Sequence, residues 1–445
     1  MATPNKMKTD LSNGRKGGNL TQRSAAKLTK NLNNPKADPI EEGSTISVIA
    51  PGKSDVVLQI KHEFPTRTAT HSFAVASTVL LPSSAYFDRL FSPGRFGEGE
   101  RLHSAHAALC EKHGTMWREA VSKEALPVVQ IEDLGRIANV NSIVPLLEDF
   151  FRVLHGLALS SSQPPPANLA NLAIVADRFD ALEAVRDHVE RKKIIRMLDN
   201  KTTPKIEASL TEQRVRQRLL VGLLLDYPPW VEKYSAKVVV KGWVPRDAEV
   251  DSPLWWDLPG RVEEELALRR DCVLETLRSM QDWFVGLYLS RARQCKLGYH
   301  NSTECDSFQL GEMVRFFHRI STLSIKATIV CGEDSEDLEP STYEGDLNLL
   351  IDSFRQIPEY QIDANHSHCG IRTRILPLLD LVQECLYYLG ICGRCWKEDR
   401  AGYAWMGAKK PLVWQAVKFR PKADGCQHRH LPIRDMFLAT ERKWD

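Results

Sequence analysis

Leu80-Leu81-Pro82-Ser83-Ser84-Ala85-Tyr86-Phe87-Asp88-Arg89-Leu90-Phe91 is the stretch on which the reading of this 445-residue chain turns. Phe87, Leu90 and Phe91 fall at helical spacing, so a short helix with one apolar face is predicted over Ser84 to Phe91. Upstream, Thr45–Ala50 and Val56–Ile60 read as strands separated by the turn residues Pro51-Gly52-Lys53-Ser54, and Phe73–Ser77 as a third. Downstream, residues 92–125 are polar without a clear period and read as a loop or insertion, followed by a strand at Val128–Ile131.

Helices dominate from there. Val144, Leu147, Phe151 and Leu154 predict a helix over Ile143–His155, with Gly156 at its end. The break Ser160–Pro166 precedes helices over Ala167–Arg178 and Leu182–Met197, and residues 198–212 read as a linker. The strongest periodicity, Leu266, Val273, Leu277, Met280, Phe284 and Tyr288, predicts a long helix within Pro259–Ser290. Asp306 could cap a helix facing inward through Leu310, Met313, Val314 and Phe317, with Gln309 in the capping-box position. A polar loop at Gly332–Pro340 leads to helices over Asp346–Arg355 and Ile375–Leu389. Residues 394–445 read as irregular, basic and aromatic.

The opening stretch, reduced to Leu80-x-x-x-Ser84-x-Tyr86-Phe87-x-x-Leu90-Phe91, resembles the central signature of BTB/POZ domains. The order of other segments agrees: Ile46-Ser47-Val48, Val57-Leu58 and Phe73-Ala74-Val75 before it, then Val128–Ile131, Phe151–Gly156 and Ala173–Phe179 after it. The resemblance covers about 45–200. Residues 210–445 resemble the C-terminal region of a group of fungal BTB-containing proteins, through Gln294–Tyr299, Glu304–Val314 and Tyr360–Gly370, a likeness that implies no particular activity. The implied fold is an α+β BTB/POZ-like domain at 43–200, then a mainly α-helical domain at 210–393 and a basic aromatic segment at 394–445. Two departures count against homodimerisation by the transcription-factor route. Ser44-Thr45 stand where dimerising members often carry Asp, and Ala76-Ser77 where they often carry His-Lys.

Net charge is only +2, but it is unevenly spread. Residues 1–36 hold eight Lys or Arg against one Asp, and residues 394–445 hold twelve against six. The remainder is therefore acidic, 2 − 13 = −11, which excludes a uniformly basic nucleic-acid binder. Residues 1–42 lack aromatics and apolar periodicity and are expected to be disordered. No apolar run approaches the ~20 residues needed to span a bilayer, and Met1–Lys8 does not resemble a signal peptide. Ten cysteines are too few for a disulfide scaffold, so an intracellular protein of cytoplasm or nucleus with reduced thiols is expected.

Catalytic signatures are missing. Gly52-Lys53-Ser54 resembles the end of a phosphate loop, but Ser47 stands where the earlier glycine is required. The Cys/His pattern is more informative, because nine of the ten cysteines lie after residue 271. Cys295 and Cys305, with His368 and Cys369 from the segment His366-x-His368-Cys369, could form a tetrahedral zinc site. Alternatively the cysteines are small buried hydrophobes and the histidines cap a helix. Cys392-x-x-Cys395 is a competing half-site that Cys426-x-His428-x-His430 could complete. Neither pair of the first set has a zinc-finger spacing, and only their coincidence raises the idea; no cofactor is assured, and structural zinc is the one these ligand types would accept.

The expected function is non-catalytic: an adaptor or scaffold binding protein partners through the BTB-like domain, either itself, a cullin-type ubiquitin ligase or a transcriptional complex. Its contact surface would lie around Phe87, Leu90 and Phe91, most of which should nonetheless be core. The alternatives are a nucleic-acid-associated regulator, its Lys/Arg interleaved with Trp and Tyr in the tail, and a metal-dependent enzyme of the C-terminal half. No membrane role is expected.

Overall fold

The computed structural model describes residues 44–445, except 51, 65–66, 139, 141, 248, 250–251, 296–299, 325–342 and 420–424. The expected disordered tail, 1–42, and the polar loop Gly332–Pro340 lie outside the described residues.

The architecture is mixed α/β: a small sheet near the N-terminus, then mostly helices. Strands β1 (Thr45–Ser47), β2 (Val56–Phe64), β3 (Arg67–Val75) and β4 (Val128–Ile131) lie in the order β1-β3-β2-β4. β2 and β3 form an antiparallel hairpin from Val56↔Val75 to Phe64↔Arg67. β1 runs parallel to β3 and β4 parallel to β2. The first two strand segments do not pair with each other; β3 lies between them and pairs with both.

The stretch 80–91 forms α1 (Ser77–Ser83) and α2 (Ala85–Phe91). Ser84 joins them by doing two jobs. Its hydroxyl oxygen accepts from the Phe87 N–H at 3.1 Å, capping α2, and its O–H donates to the Phe179 carbonyl at 2.5 Å. Phe87 stacks between Phe91 (5.6 Å) and Phe179 (5.3 Å), and Phe150 joins Phe179 at 5.4 Å. Phe87 and Phe91 are therefore core, and only Leu90 is partly exposed. The surface expected around these three residues is mostly buried.

Residues 92–125 are not a loop. They contain α3 (Gly97–His113), α4 (Trp117–Ala120) and a 3-10 turn. Together with Leu126 they cover the second face of the sheet, where Val57, Ala74, Trp117 and Leu126 form a small separate cluster. Only Gly99 and Leu102 of α3 are buried, so this helix has no apolar stripe for sequence periodicity to reveal.

The other face of the sheet meets α5 (Val144–Leu154), followed by α6 (Pro166–Arg178), α7 (Leu182–Arg191), α8 (Ile194–Asn200) and α9 (Pro204–Ala208). The single helix expected over 182–197 is broken at Lys193, which adopts φ 53°. The expected linker is largely helical. α10 (Glu212–Leu224) and α11 (Pro228–Lys241) form a tight hairpin; a Cβ on Gly222 would come within 3.1 Å of Trp230 and Val231. Because α10 packs on α6, one hydrophobic core runs continuously across the 200–210 boundary.

α12 (Val262–Leu289) is the 28-residue axis of the helical part, and it buries Leu266, Val273, Leu277, Met280, Phe284 and Tyr288 as the periodicity requires. Its polar residues are equally structural. Arg270 donates to the carbonyls of Val239 (2.9 Å), Tyr343 (2.8 Å) and Gly345 (2.7 Å). Arg269 donates to Leu389 and Gly390 at 2.9 Å each, and Glu265 accepts from the N–H groups of Trp405 (2.8 Å) and Met406 (2.9 Å). α13 (Ser302–Arg319) and α11 pack against this axis; α14 (Leu347–Arg355) packs on α15 (Arg372–Leu386) and α11, and α16 (Gly393–Glu398) on α11 and α17 (Arg400–Tyr403). The described residues of the terminal segment form regular elements rather than irregular chain: β5 (Val413–Gln415) pairs parallel with β6 (Glu441–Lys443), and α18 (Cys426–Leu438) packs on α12.

Candidate metal centre

Cys295 precedes α13, Cys305 lies in its first turn, and His366 and Cys369 come from the segment before α15. Their ligand atoms all lie within 4.8 Å of one another. Cys295 Sγ is 3.4 Å from His366 Nδ1 and 3.8 Å from Cys369 Sγ, and Cys369 Sγ is 3.9 Å from His366 Nδ1. With zinc–sulfur bonds of about 2.3 Å and zinc–nitrogen bonds of about 2.0 Å, a tetrahedral centre places sulfurs ~3.8 Å apart and sulfur and nitrogen ~3.5 Å apart. The observed spacing suits a shared ion. It is far from a disulfide, whose sulfurs are about 2.05 Å apart.

Local chemistry explains the convergence. The Asp306 carboxylate accepts from the N–H groups of Gln294 (2.9 Å) and Cys295 (2.8 Å), fixing the incoming chain to α13. Asp306 therefore does not cap α13, which begins at Ser302 after Asn301. Asp363 accepts from Asn365 N–H (2.8 Å) and His366 N–H (3.2 Å), forming the 3-10 turn that carries His366. From α12, Tyr288 donates its hydroxyl to the Cys369 carbonyl at 3.0 Å.

A second layer sets the imidazole. His366 Nε2 is 2.9 Å from Asn301 Oδ1, and Asn301 Nδ2 donates to Asp363 Oδ2 at 3.3 Å. The amide is thus turned with its oxygen toward the ring, so Nε2 carries the proton and Nδ1 presents its lone pair to the sulfurs.

His368, placed in the ligand set by the sequence, is elsewhere. Its backbone is left-handed (φ 66°), and its side chain is 74% exposed, 3.1 Å from Glu359. His366 supplies the nitrogen. The available signal was spacing: His366-x-x-Cys369 can turn two ligands to one point, whereas adjacent residues such as His368 and Cys369 tend to face apart.

The competing half-site also assembles. Cys392, Cys395, Cys426 and His430 bring their ligand atoms within 4.8 Å of one another. Cys392 Sγ is 3.9 Å from Cys426 Sγ, and Cys395 Sγ is 3.6 Å from His430 Nδ1. The side chain of His428 lies outside the described residues. Cys426 and His430 are four apart on α18 and share a face.

Burial and crowding disfavour thiolates in both clusters. Burial, then the neighbouring thiols Cys369 and Cys295, pushes Cys305 up; Cys369 is raised by burial and by Cys295. Cys395 is pushed up to about 12 by burial and by Cys392 and Cys426. A divalent ion at the centre reverses this, because it stabilises the thiolates that crowding disfavours. His430 is lowered to about 4 by burial and by Arg429 and Arg269, so it is a neutral ligand at physiological pH. These Cys/His clusters can hold metal ions, and their donor sets are compatible with zinc.

Most aromatic residues of the terminal segment serve the core, while Trp396 is half-buried beneath the Arg400 guanidinium at 4.1 Å. Tyr403, Trp405, Trp414, Phe419 and Trp444 are buried, which removes them as a platform for stacking bases. No described helix is long and apolar enough to cross a membrane. Neither family models nor curated proteins nor solved structures provide a match to this chain.

Proposed function

We propose that this chain is a non-catalytic adaptor or scaffold. A BTB/POZ-like N-terminal part binds protein partners, and zinc at Cys295, Cys305, His366 and Cys369 braces the helical part. The observation that carries the reading is the order of elements: hairpin β2–β3, helices α1–α2 joined at Ser84, strand β4 parallel to β2, then α5 and α6. That is the order in which the BTB-like segments occur along the chain.

The metal is assigned a structural role because four protein side chains complete a tetrahedral set. Catalytic zinc keeps a position open for water or substrate. The partner is a second copy of the chain, a cullin-type ligase or a transcriptional complex. Affinity purification with partner identification, beside light scattering, tests this: recovery of such a partner or a stable dimer is expected. A monomer that captures neither cullin nor transcriptional proteins defeats the reading.

A further inference from the structure

We infer that Cys392, Cys395, Cys426 and His430 hold a second zinc ion, which clasps the terminal segment onto α12. This goes beyond the adaptor reading and does not depend on it.

Single cysteines occur elsewhere in this protein: Cys385 lies buried in the core and Cys272 half-buried against it, with thiols raised by burial to about 12 and about 11. Cys392, Cys395 and Cys426 differ, because they converge with one another and with a ring nitrogen. The spacings of 3.9 and 3.6 Å approach the ~3.8 and ~3.5 Å of a tetrahedral zinc centre.

The surroundings are built to hold this arrangement. The Cys392 N–H donates to the Tyr403 hydroxyl oxygen at 2.8 Å, and that hydroxyl donates to the Gly390 carbonyl at 3.1 Å. The Ile391 N–H donates to Ser235 Oγ at 2.8 Å, which ties the same loop to α11. Tyr403 meets the His430 ring edge-on at 5.4 Å. Three thiolates, one neutral imidazole and a divalent ion sum to −1, and the charged groups acting on His430 are the cations Arg429 and Arg269.

The ligands are also where a clasp is needed. Cys392 and Cys395 follow the loop that Arg269 holds, while Cys426 and His430 open α18. Farther along α18, Ile433, Met436 and Phe437 are buried, with Phe437 stacked on Trp405 at 5.6 Å. Closing 392 to 426 and 395 to 430, separations of 34 and 35 residues, presets the approach of α18 to α12.

The test is elemental analysis of the full-length chain, purified without a metal-binding tag. Two zinc ions per chain are expected, falling to one in Cys426→Ser and to one in Cys305→Ser. His430→Cys should retain both, with an altered visible spectrum after cobalt substitution, while His430→Ala should retain one. If Cys426→Ser does not fold, thiol alkylation of the wild type supplies the answer, with exposed Cys110 as internal control. Half-buried Cys395 and Cys426 should be protected in the zinc-loaded chain and labelled after chelation. One zinc that Cys305→Ser abolishes and Cys426→Ser leaves, or no protection of Cys395 and Cys426 by zinc, would overturn the inference. One zinc lost only in Cys426→Ser would instead refute the first centre and leave the clasp standing.

Discussion

Replacing Asn301 with leucine should weaken one zinc centre without touching a ligand. The Asn301 amide oxygen accepts from His366 Nε2 at 2.9 Å. A neutral hydrogen bond contributes about 0.5–1.5 kcal/mol, and one to a charged group about 1.5–3 kcal/mol. Zinc at Nδ1 moves this bond from the first class toward the second, so about 1–1.5 kcal/mol of metal affinity depends on Asn301. That converts to roughly tenfold. Leucine also leaves the free imidazole to choose its tautomer, which takes the loss toward roughly twentyfold, inside the ~10–100-fold range for outer-shell changes. Asn301→Asp is not a rescue, because it would set a second carboxylate against Asp363, now 3.3 Å from the Asn301 amide nitrogen. The assay is zinc competition with a chromophoric chelator at fixed pH, in which one zinc equivalent should shift. His366→Ala should lose that equivalent, whereas His368→Ala should bind within twofold of wild type. An unchanged Asn301→Leu, or a His368→Ala that matches His366→Ala, refutes this account of the centre.

Three further outcomes are expected. Glu265→Gln should destabilise the chain by about 3–5 kcal/mol in urea unfolding, because it leaves the Arg269 guanidinium buried without its counter-charge; a shift under about 1 kcal/mol would contradict the role given to that pair. Asp55→Ala should cost about 3 kcal/mol, since the buried carboxylate accepts from Ser77 N–H (2.6 Å) and O–H (2.9 Å) and lies 3.3 Å from Arg118; urea midpoints equal to wild type would discount this cap of α1. Burial lowers His155 below its ordinary 6.5; Nδ1–H donates to the Phe151 carbonyl at 2.7 Å and Nε2 accepts from Ala76 N–H at 3.2 Å. The unfolded chain therefore takes this proton first. Stability should be full above about pH 6.5 and fall as pH drops through the lower folded value, and His155→Gln should fall less steeply between pH 7 and 5.

Legibility followed hydrophobic pattern. α12 was readable because six apolar residues mark its inward face, and β4 and α5 because their apolar runs are concentrated. α3 was not, since its contact with the sheet is made by few side chains. α10 and α11 drew no assignment: α10 buries Arg216, Gln217 and Arg218 along with its leucines, which blurs the stripe. Arg216 is fully buried because Glu263 receives it bidentately at 2.8 Å and the Trp243 carbonyl accepts at 2.6 Å. Such a partner lies 47 residues away, beyond any local periodicity.

The metal sites were half legible for a related reason. Residue type and short spacing mark a knuckle, as at Cys392-x-x-Cys395, but not which distant knuckle faces it. In the first centre the ligands at 295 and 366 are 71 residues apart, and their meeting depends on Asp306, Tyr288 and Asp363 setting the backbone on both sides. The choice between His366 and His368 turns on one left-handed residue and one amide, Asn301. If zinc made the centre alone, His368 would be an acceptable substitute two residues away. The hydrogen bonds around the ligands make it unacceptable, which is why the identity of the nitrogen ligand tests the whole arrangement rather than one side chain.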